Sequence, residues 1–302
     1  MTIHTLGLTP ALDVVYVLDR VRVGEIHRPP VIIKSPGGKS LNVARALTRL
    51  GLPVRAIVPL GGKIGDFVAA LLAEGAVEVD RIQTAVETRL CITACDTEAR
   101  TLTEFYEPTA EFDVPLDAIA GRTASVPPGE WLIVSGSVPA EVDPLAFARL
   151  LAADAARGLL LGIDVHGPAL GAIIDAAHPQ LVKVNRAEAA ELTGESDAAM
   201  AARRLVDRGA QIAVVTDGEG GASASTAAGD HPSLPPVDRP GLFPVGSGDC
   251  FLAGLVGALD LGSDLATALG IAADTGSANA QVPGAATFET LPLRTLVALP
   301  RG

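Results

Sequence analysis

The sequence predicts a three-layer α/β/α fold: a mostly parallel sheet with helices on both faces, and a small β-sheet lid beside it. Three observations carry this. From Trp131 onward short apolar strands alternate with helical stretches, the pattern of a parallel sheet covered on both sides. Those strands end on Ser135, Asp164, Asn185 and Thr216, polar residues that share the carboxyl edge where such folds collect ligands. Twice, over residues 9–33 and 87–107, the chain leaves this pattern for short strands, which suits one small flanking sheet.

Taken in order, residues 3–8 read as a first strand closed by Thr9-Pro10, and residues 14–18 and 31–33 as short strands. Leu41, Ala44, Leu47 and Leu50 recur at helical spacing after Gly37-Gly38, and Gly51 ends that helix. Residues 55–60 read as a strand, and Ile64-Gly65-Asp66 opens a helix through Leu72. Residues 87–96 and 101–107 pair around a turn at Thr97-Glu98-Ala99. The regular alternation follows, with strands at 131–135, 159–164, 181–185 and 212–216. Of the helices between them, the first has Asp143 as N-cap, Pro144 at its first position and Gly158 as its stop. The others cover about 169–177, 186–192 and 197–208, and the proline-rich stretch 231–244 reads as a long loop. The expectation is one domain over 1–302, with lid strands inserted at about 11–35 and 87–108.

Composition narrows the function. Hydrophobic residues make up 48% of the 302 and charged residues 19%, enough for a sizeable core. The net charge of −12 argues against nucleic acid and against an anionic membrane surface. Cys91, Cys95 and Cys250 form neither a metal spacing nor a disulfide framework, which suits a reducing compartment, and the first two read as strand residues. The N-terminus has no basic region and meets Asp13 early, unlike a signal peptide. No apolar run reaches the roughly eighteen residues of a membrane span. A cytoplasmic protein with a small-molecule partner is the expectation.

The chemistry concentrates at Val245-Gly246-Ser247-Gly248-Asp249, followed by an almost wholly apolar run to Leu259. Apolar on every side, that run reads as a buried helix. Its N-terminus offers unpaired N–H groups and a partial positive charge, and the glycines let the backbone approach an anion closely. A carboxylate repels a phosphate, so Asp249 at that mouth suits a base that takes a proton from an attacking hydroxyl. A tight turn with Asp249 as a plain N-cap is the bland alternative for these five residues. Gly37-Gly38 before Lys39 and Asn42 makes a second candidate site for an anion or a sugar, against the alternative of a simple turn.

Several motifs then agree in order along essentially the whole chain. Gly246-Ser247-Gly248-Asp249, Pro36-Gly37-Gly38-Lys39-x-x-Asn42-Val43-Ala44, Thr9-Pro10-Ala11-Leu12-Asp13 and Ser135-Gly136-Ser137-Val138-Pro139 are four of them. Lys183-x-Asn185-Arg186-x-Glu188 and Thr216-Asp217-Gly218-x-x-Gly221-Ala222 complete the set. Together they resemble the ribokinase (PfkB) family of sugar kinases, and within it the phosphofructokinase and tagatose-6-phosphate kinase branch. The resemblance implies a ribokinase-like, Rossmann-type fold with ATP and Mg²⁺ as cofactors. Asp249 would be the catalytic base, with the N–H groups of Gly246, Ser247 and Gly248 as the anion hole. Asp13, Gly38 and Asn42 would hold the sugar hydroxyls, and Lys39 and Arg89, with Ser137, the phosphate already on the substrate. Lys183, Asn185, Thr216, Gly218, Gly221 and Asn279 would serve ATP, and Asn185 and Glu188 would meet magnesium through water.

The implied reaction is phosphorylation of a ketohexose phosphate to the bisphosphate, with fructose 1-phosphate, tagatose 6-phosphate and fructose 6-phosphate as candidates. A kinase of an unphosphorylated sugar or nucleoside and a silent sugar-phosphate sensor are the alternatives. A nicotinamide-dependent dehydrogenase is disfavoured, because no Gly-x-Gly-x-x-Gly follows the first strand. Thr9, Cys91, His166 and Phe243 depart from the branch's usual residues, which leaves the sugar open without touching base or anion turn. A homodimer through the lid is the expected assembly by analogy.

Overall fold

The computed structural model describes residues 1–109, 111–238 and 240–297. In chain order it builds β1 (Ile3–Leu6), β2 (Ala11–Leu18), β3 (Val31–Gly37), α1 (Lys39–Arg49), β4 (Val54–Leu60), α2 (Gly62–Glu74) and β5 (Glu78–Gln83). Then come β6 (Arg89–Asp96), β7 (Thr101–Tyr106), α3 (Leu116–Thr123), β8 (Trp131–Ser135), α4 (Pro144–Ala156), β9 (Leu160–Asp164) and α5 (Pro168–Ala177). The remainder is β10 (Leu181–Asn185), α6 (Arg186–Thr193), α7 (Ala198–Arg208), β11 (Ile212–Thr216), β12 (Ala222–Thr226), β13 (Ser233–Leu234), α8 (Ser247–Asp260), α9 (Leu265–Ala280) and α10 (Leu293–Val297).

Nine strands form the main sheet in the order β13-β12-β11-β10-β9-β8-β1-β4-β5. From β11 to β5 neighbours run parallel, and only the pairs β11–β12 and β12–β13 are antiparallel. Alternation along the strands divides the core into two layers. Ile3, Ile133, Leu181 and Val214 face α1, α2, α8 and α9. Leu6, Leu132, Val134, Ile163, Val182 and Val215 face the layer of α3 to α7. Residues 249–258 of α8 are all buried, as the all-round apolar sequence requires. The carboxyl ends of β8, β9, β10 and β11 all open toward the N-terminus of this helix.

The two excursions pair as expected, in a second sheet of order β3-β2-β6-β7. Register places Asp13 of β2 between Ser35 of β3 and Cys91 of β6, and Cys91 opposite Tyr106 of β7. Because directly paired residues share a face, these four make one row across the lid. β3 runs on to Gly37, beyond the expected 31–33, because Pro36 and Gly37 continue the pairing with Leu12 and Ala11. The predicted alternation lacks β5, a polar edge strand. Its Asp80 is held by Arg55 at 2.5 Å and by Arg122 at 3.0 Å.

Candidate active site

The anion turn is built by what its glycines lack. Gly246 caps α8 in the left-handed region, at φ 81°, and a Cβ there would stand 2.4 Å from the Ala285 Cβ. Both facts exclude a side chain. A Cβ on Gly248 would stand 3.1 Å from Lys183 Nζ, so the ammonium lies directly against the turn. Within the turn the Ser247 N–H donates to the Pro244 carbonyl at 3.0 Å, and the Cys250 N–H to the Gly246 carbonyl at 2.9 Å. Of the amides expected to form the hole, that of Ser247 is therefore taken up within the turn, while among the described residues none of the turn's backbone hydrogen bonds engages those of Gly246, Gly248 or Asp249.

Asp249 is buried at 6% exposure, and its Oδ2 accepts a 2.9 Å hydrogen bond from Asn42 Nδ2. Burial, and then the like charge of Asp164, push its carboxyl up to about 7; the Asn42 bond, Lys183 and Lys39 act against this. Asp164, fully buried at the end of β9, organises the charges around it. Its Oδ1 lies 3.5 Å from Lys39 Nζ, its Oδ2 lies 3.7 Å from Lys183 Nζ, and Oδ2 accepts from Ser135 Oγ at 3.3 Å. Lys39 Nζ also stands 3.6 Å from Glu188 Oε1. Burial alone would lower the Lys39 ammonium, but Asp164, Glu188 and Asp249 outweigh it and hold its pKa above the ordinary value. Lys39 thus sits among the carboxylates beside the anion turn.

On the lid side, burial raises the Asp13 carboxyl to about 6, against the pull of Arg45 and Arg89 and with the help of Glu104. Gly37 and Gly38 make room for this corner. A Cβ on Gly37 would meet the Asp13 carboxyl group at 2.1 Å, and one on Gly38, at φ 89°, the Thr9 carbonyl at 2.9 Å. Arg89 Nη1 donates to the Glu107 carbonyl at 3.2 Å. The Ser137 carbonyl accepts from Thr9 Oγ1 at 3.5 Å. Asn42 Oδ1, Ser35 Oγ and Arg89 Nε are buried and without a hydrogen-bond partner among the described residues. Such atoms are costly to leave unmet, so a hydroxyl-rich ligand suits this corner.

Across the anion turn lies a cavity of about 270 Å³, lined by Thr216, Gly218, Gly221, Ser247, Gly248 and Phe251 among others. Gly221 sits at φ 93°, where a Cβ would come within 2.3 Å of the Leu234 carbonyl. Asn185 and Glu188 close a capping box on α6, each side chain 2.9 Å from the other's backbone N–H. Asn279, expected among the ATP contacts, is instead fully buried behind the turn. Its Nδ2 donates to Val245 O at 2.9 Å and to Ser247 Oγ at 3.1 Å, while its Oδ1 accepts from Ala286 N at 2.7 Å. Every arm of that amide is held by protein, so Asn279 shapes the turn and does not line the cavity.

The chain as a whole is similar to known proteins. The family described as pfkB family carbohydrate kinase matches residues 4–291. The chain belongs to the PfkB family. A 1-phosphofructokinase of Rhodobacter capsulatus is 32% identical over 276 residues, covering 88% of this chain and 86% of the relative. An ATP-dependent 6-phosphofructokinase isozyme 2 of Mycobacterium tuberculosis is 31% identical over 297 residues, covering 94% and 85%. Among solved structures, phosphofructokinase-2 of Escherichia coli in complex with substrates and products superposes with a TM-score of 0.90 at 26% identity, over 99% of each chain. The same E. coli protein has also been solved in a tetrameric inhibited form.

As a PfkB kinase, a phosphotransferase with an alcohol group as acceptor, the chain carries two site features that sequence reasoning missed. Asp164 was visible as a polar strand end, but its pairing with Lys39 and Lys183 needs β9, β10 and α1 brought together. Arg45 lies one turn beyond Asn42 on α1 and was not singled out in the sequence. The fold turns it inward, onto the carbonyls of Pro36, Ala285 and Ala286.

Proposed function

We propose that this PfkB kinase transfers the γ-phosphoryl group of MgATP to a hydroxyl of a ketohexose phosphate, releasing ADP and the bisphosphate. One observation supports this above the others: a buried carboxyl, raised to about 7, stands between the hydroxyl-seeking corner of Asp13 and the cavity across the anion turn. The acceptor oxygen forms its bond to phosphorus as the bond from phosphorus to the ADP oxygen breaks, and its proton passes to Asp249. The Gly248 and Asp249 amides with Lys183 stabilise charge on the transferring group. Lys39, beside Asp164 and Glu188, serves the same anion, and Arg89 takes the substrate's own phosphate, a task suited to a guanidinium.

Magnesium arrives with the nucleotide in this account, where it neutralises phosphate charge. No group of three or more His, Cys, Asp or Glu among the described residues could hold a resident ion. Glu188 and Asn185, engaged in their capping box, fit contact through water. The lid leaves Val31, Ile32, Phe105 and Tyr106 exposed, which supports a homodimer through that sheet. Chemistry on ATP and a sugar phosphate fits the cytoplasm, and no described helix is long and apolar enough to cross a membrane.

A kinase of an unphosphorylated sugar is the second reading, favoured by the engagement of Lys39 with two carboxylates. A coupled ADP-release assay separates the two, with MgATP against fructose 1-phosphate, tagatose 6-phosphate, fructose 6-phosphate, fructose and ribose. Turnover on one phosphorylated ketose is expected. Turnover on a free sugar alone would remove the phosphate role of Arg89. Sugar-phosphate binding without any turnover would point to a sensor.

A further inference from the structure

We infer that Arg45 is a positioning residue: it holds the sugar corner and the anion turn in one register, so that acceptor and phosphoryl group meet. The inference rests on the kinase reading above and adds a residue that binds neither substrate. Arg45 Nη1 donates to Pro36 O at 3.1 Å and to Ala285 O at 2.9 Å, and Nη2 donates to Ala286 O at 3.3 Å. Pro36 is the penultimate residue of β3, next to the Gly37 that packs on the Asp13 carboxyl. Ala285 is the residue against which Gly246 is packed. Ala286 donates its N–H to Asn279, whose other arm holds Val245 and Ser247.

One guanidinium therefore joins the strand beside Asp13 to the segment that shapes the mouth of α8. Its planar fork suits this, since three carbonyls on two segments are met at once. Ala286 adds an independent sign of constraint. It is a non-glycine residue at φ 50°, a disfavoured conformation that persists only where surroundings fix it. Arg49 fastens the same segment through Ala286 O at 2.7 Å and Phe288 O at 2.8 Å, but reaches no lid strand. The pair thus provides its own control: both residues anchor 285–288, and only Arg45 spans to the sugar side.

The test compares wild type, Arg45→Met, Arg45→Lys and Arg49→Met by steady-state kinetics and by amide hydrogen exchange. Arg45→Met should lower kcat by about tenfold to a hundredfold, the scale of a small misplacement of reacting groups, with both KM values within about threefold. Exchange should quicken at 12–15, 249–251 and 285–288 together, and stay unchanged in β9 to β11. Arg45→Lys, which keeps the charge and loses the fork, should recover part of kcat. Arg49→Met should quicken 285–288 without reaching 12–15. A folded Arg45→Met with wild-type kcat, or exchange changes confined to 285–288 or spread over the whole sheet, would overturn the inference. Absence of wild-type turnover would instead defeat the kinase reading, and the exchange pattern would still decide whether Arg45 links the two sides.

Discussion

Asn42→Ala isolates the control of the proposed base. Asn42 Nδ2 donates to Asp249 Oδ2 at 2.9 Å in a buried setting, and that bond favours the charged carboxylate. A hydrogen bond to a charged group contributes about 1.5–3 kcal/mol, equivalent to about one to two pKa units. Without it the Asp249 carboxyl should rise from about 7 to about 8 or higher. At pH 7 about half of the wild-type protein then has its base ionised, against about a tenth or less of the variant. A fall of about fivefold or more in kcat/KM for the sugar phosphate is expected at pH 7, and much of it should return by about pH 9. The assay is coupled ADP release across pH, because the acid limb of kcat/KM reports the free enzyme. A loss equal at every pH, with the limb where wild type has it, would refute the reasoning and leave Asn42 as a sugar contact alone.

Other perturbations follow from the same geometry. Asp164→Asn removes the like charge near Asp249, so the acid limb should move down, opposite to Asn42→Ala, while kcat falls as Lys39 and Lys183 lose their shared anchor; a pH-rate profile reads both. Asp249→Asn should raise stability. The carboxyl titrates near 3.8 unfolded and near 7 folded, so burying its charge weakens the fold progressively between those values and fully above them. Urea unfolding should show a gain of up to about 4 kcal/mol at pH 8 that disappears below about pH 4. Gly246→Ala meets both a left-handed φ and the Ala285 Cβ at 2.4 Å, so thermal unfolding should show a loss of about 1–3 kcal/mol and kcat should collapse. Gly221→Ala, which brings a Cβ to 2.3 Å of the Leu234 carbonyl, should raise KM for ATP about tenfold and leave KM for the sugar phosphate alone.

Much of this arrangement was legible in the sequence, for identifiable reasons. The strands from Trp131 to Thr216 are buried on both faces and carry their signal as apolar runs, each closed by a polar residue at the edge where the site forms. The helix after Asp249 announces its burial by having no polar side. β5 was missed because an edge strand needs no apolar alternation, and Glu78, Asp80, Arg81 and Gln83 hide it among loops. What local sequence does not carry is the set of site partners that lie far along the chain. Asp164 and Glu188, more than a hundred residues from Lys39, flank its ammonium. Asn279 was assigned to the nucleotide, yet Val245, Ser247 and Ala286 take up its amide. Local sequence marks which residues have chemistry to offer; it does not say which of them the fold occupies.

The most direct measurement compares phosphoryl transfer and nucleotide binding in wild type and Asp249→Asn, using ADP-release kinetics beside titration with ATP. Loss of a general base should lower kcat by about a hundredfold to ten-thousandfold, with ATP affinity and sugar-phosphate KM close to wild type. Turnover retained in Asp249→Asn would contradict the account, because it would place the proton acceptor somewhere other than the mouth of α8.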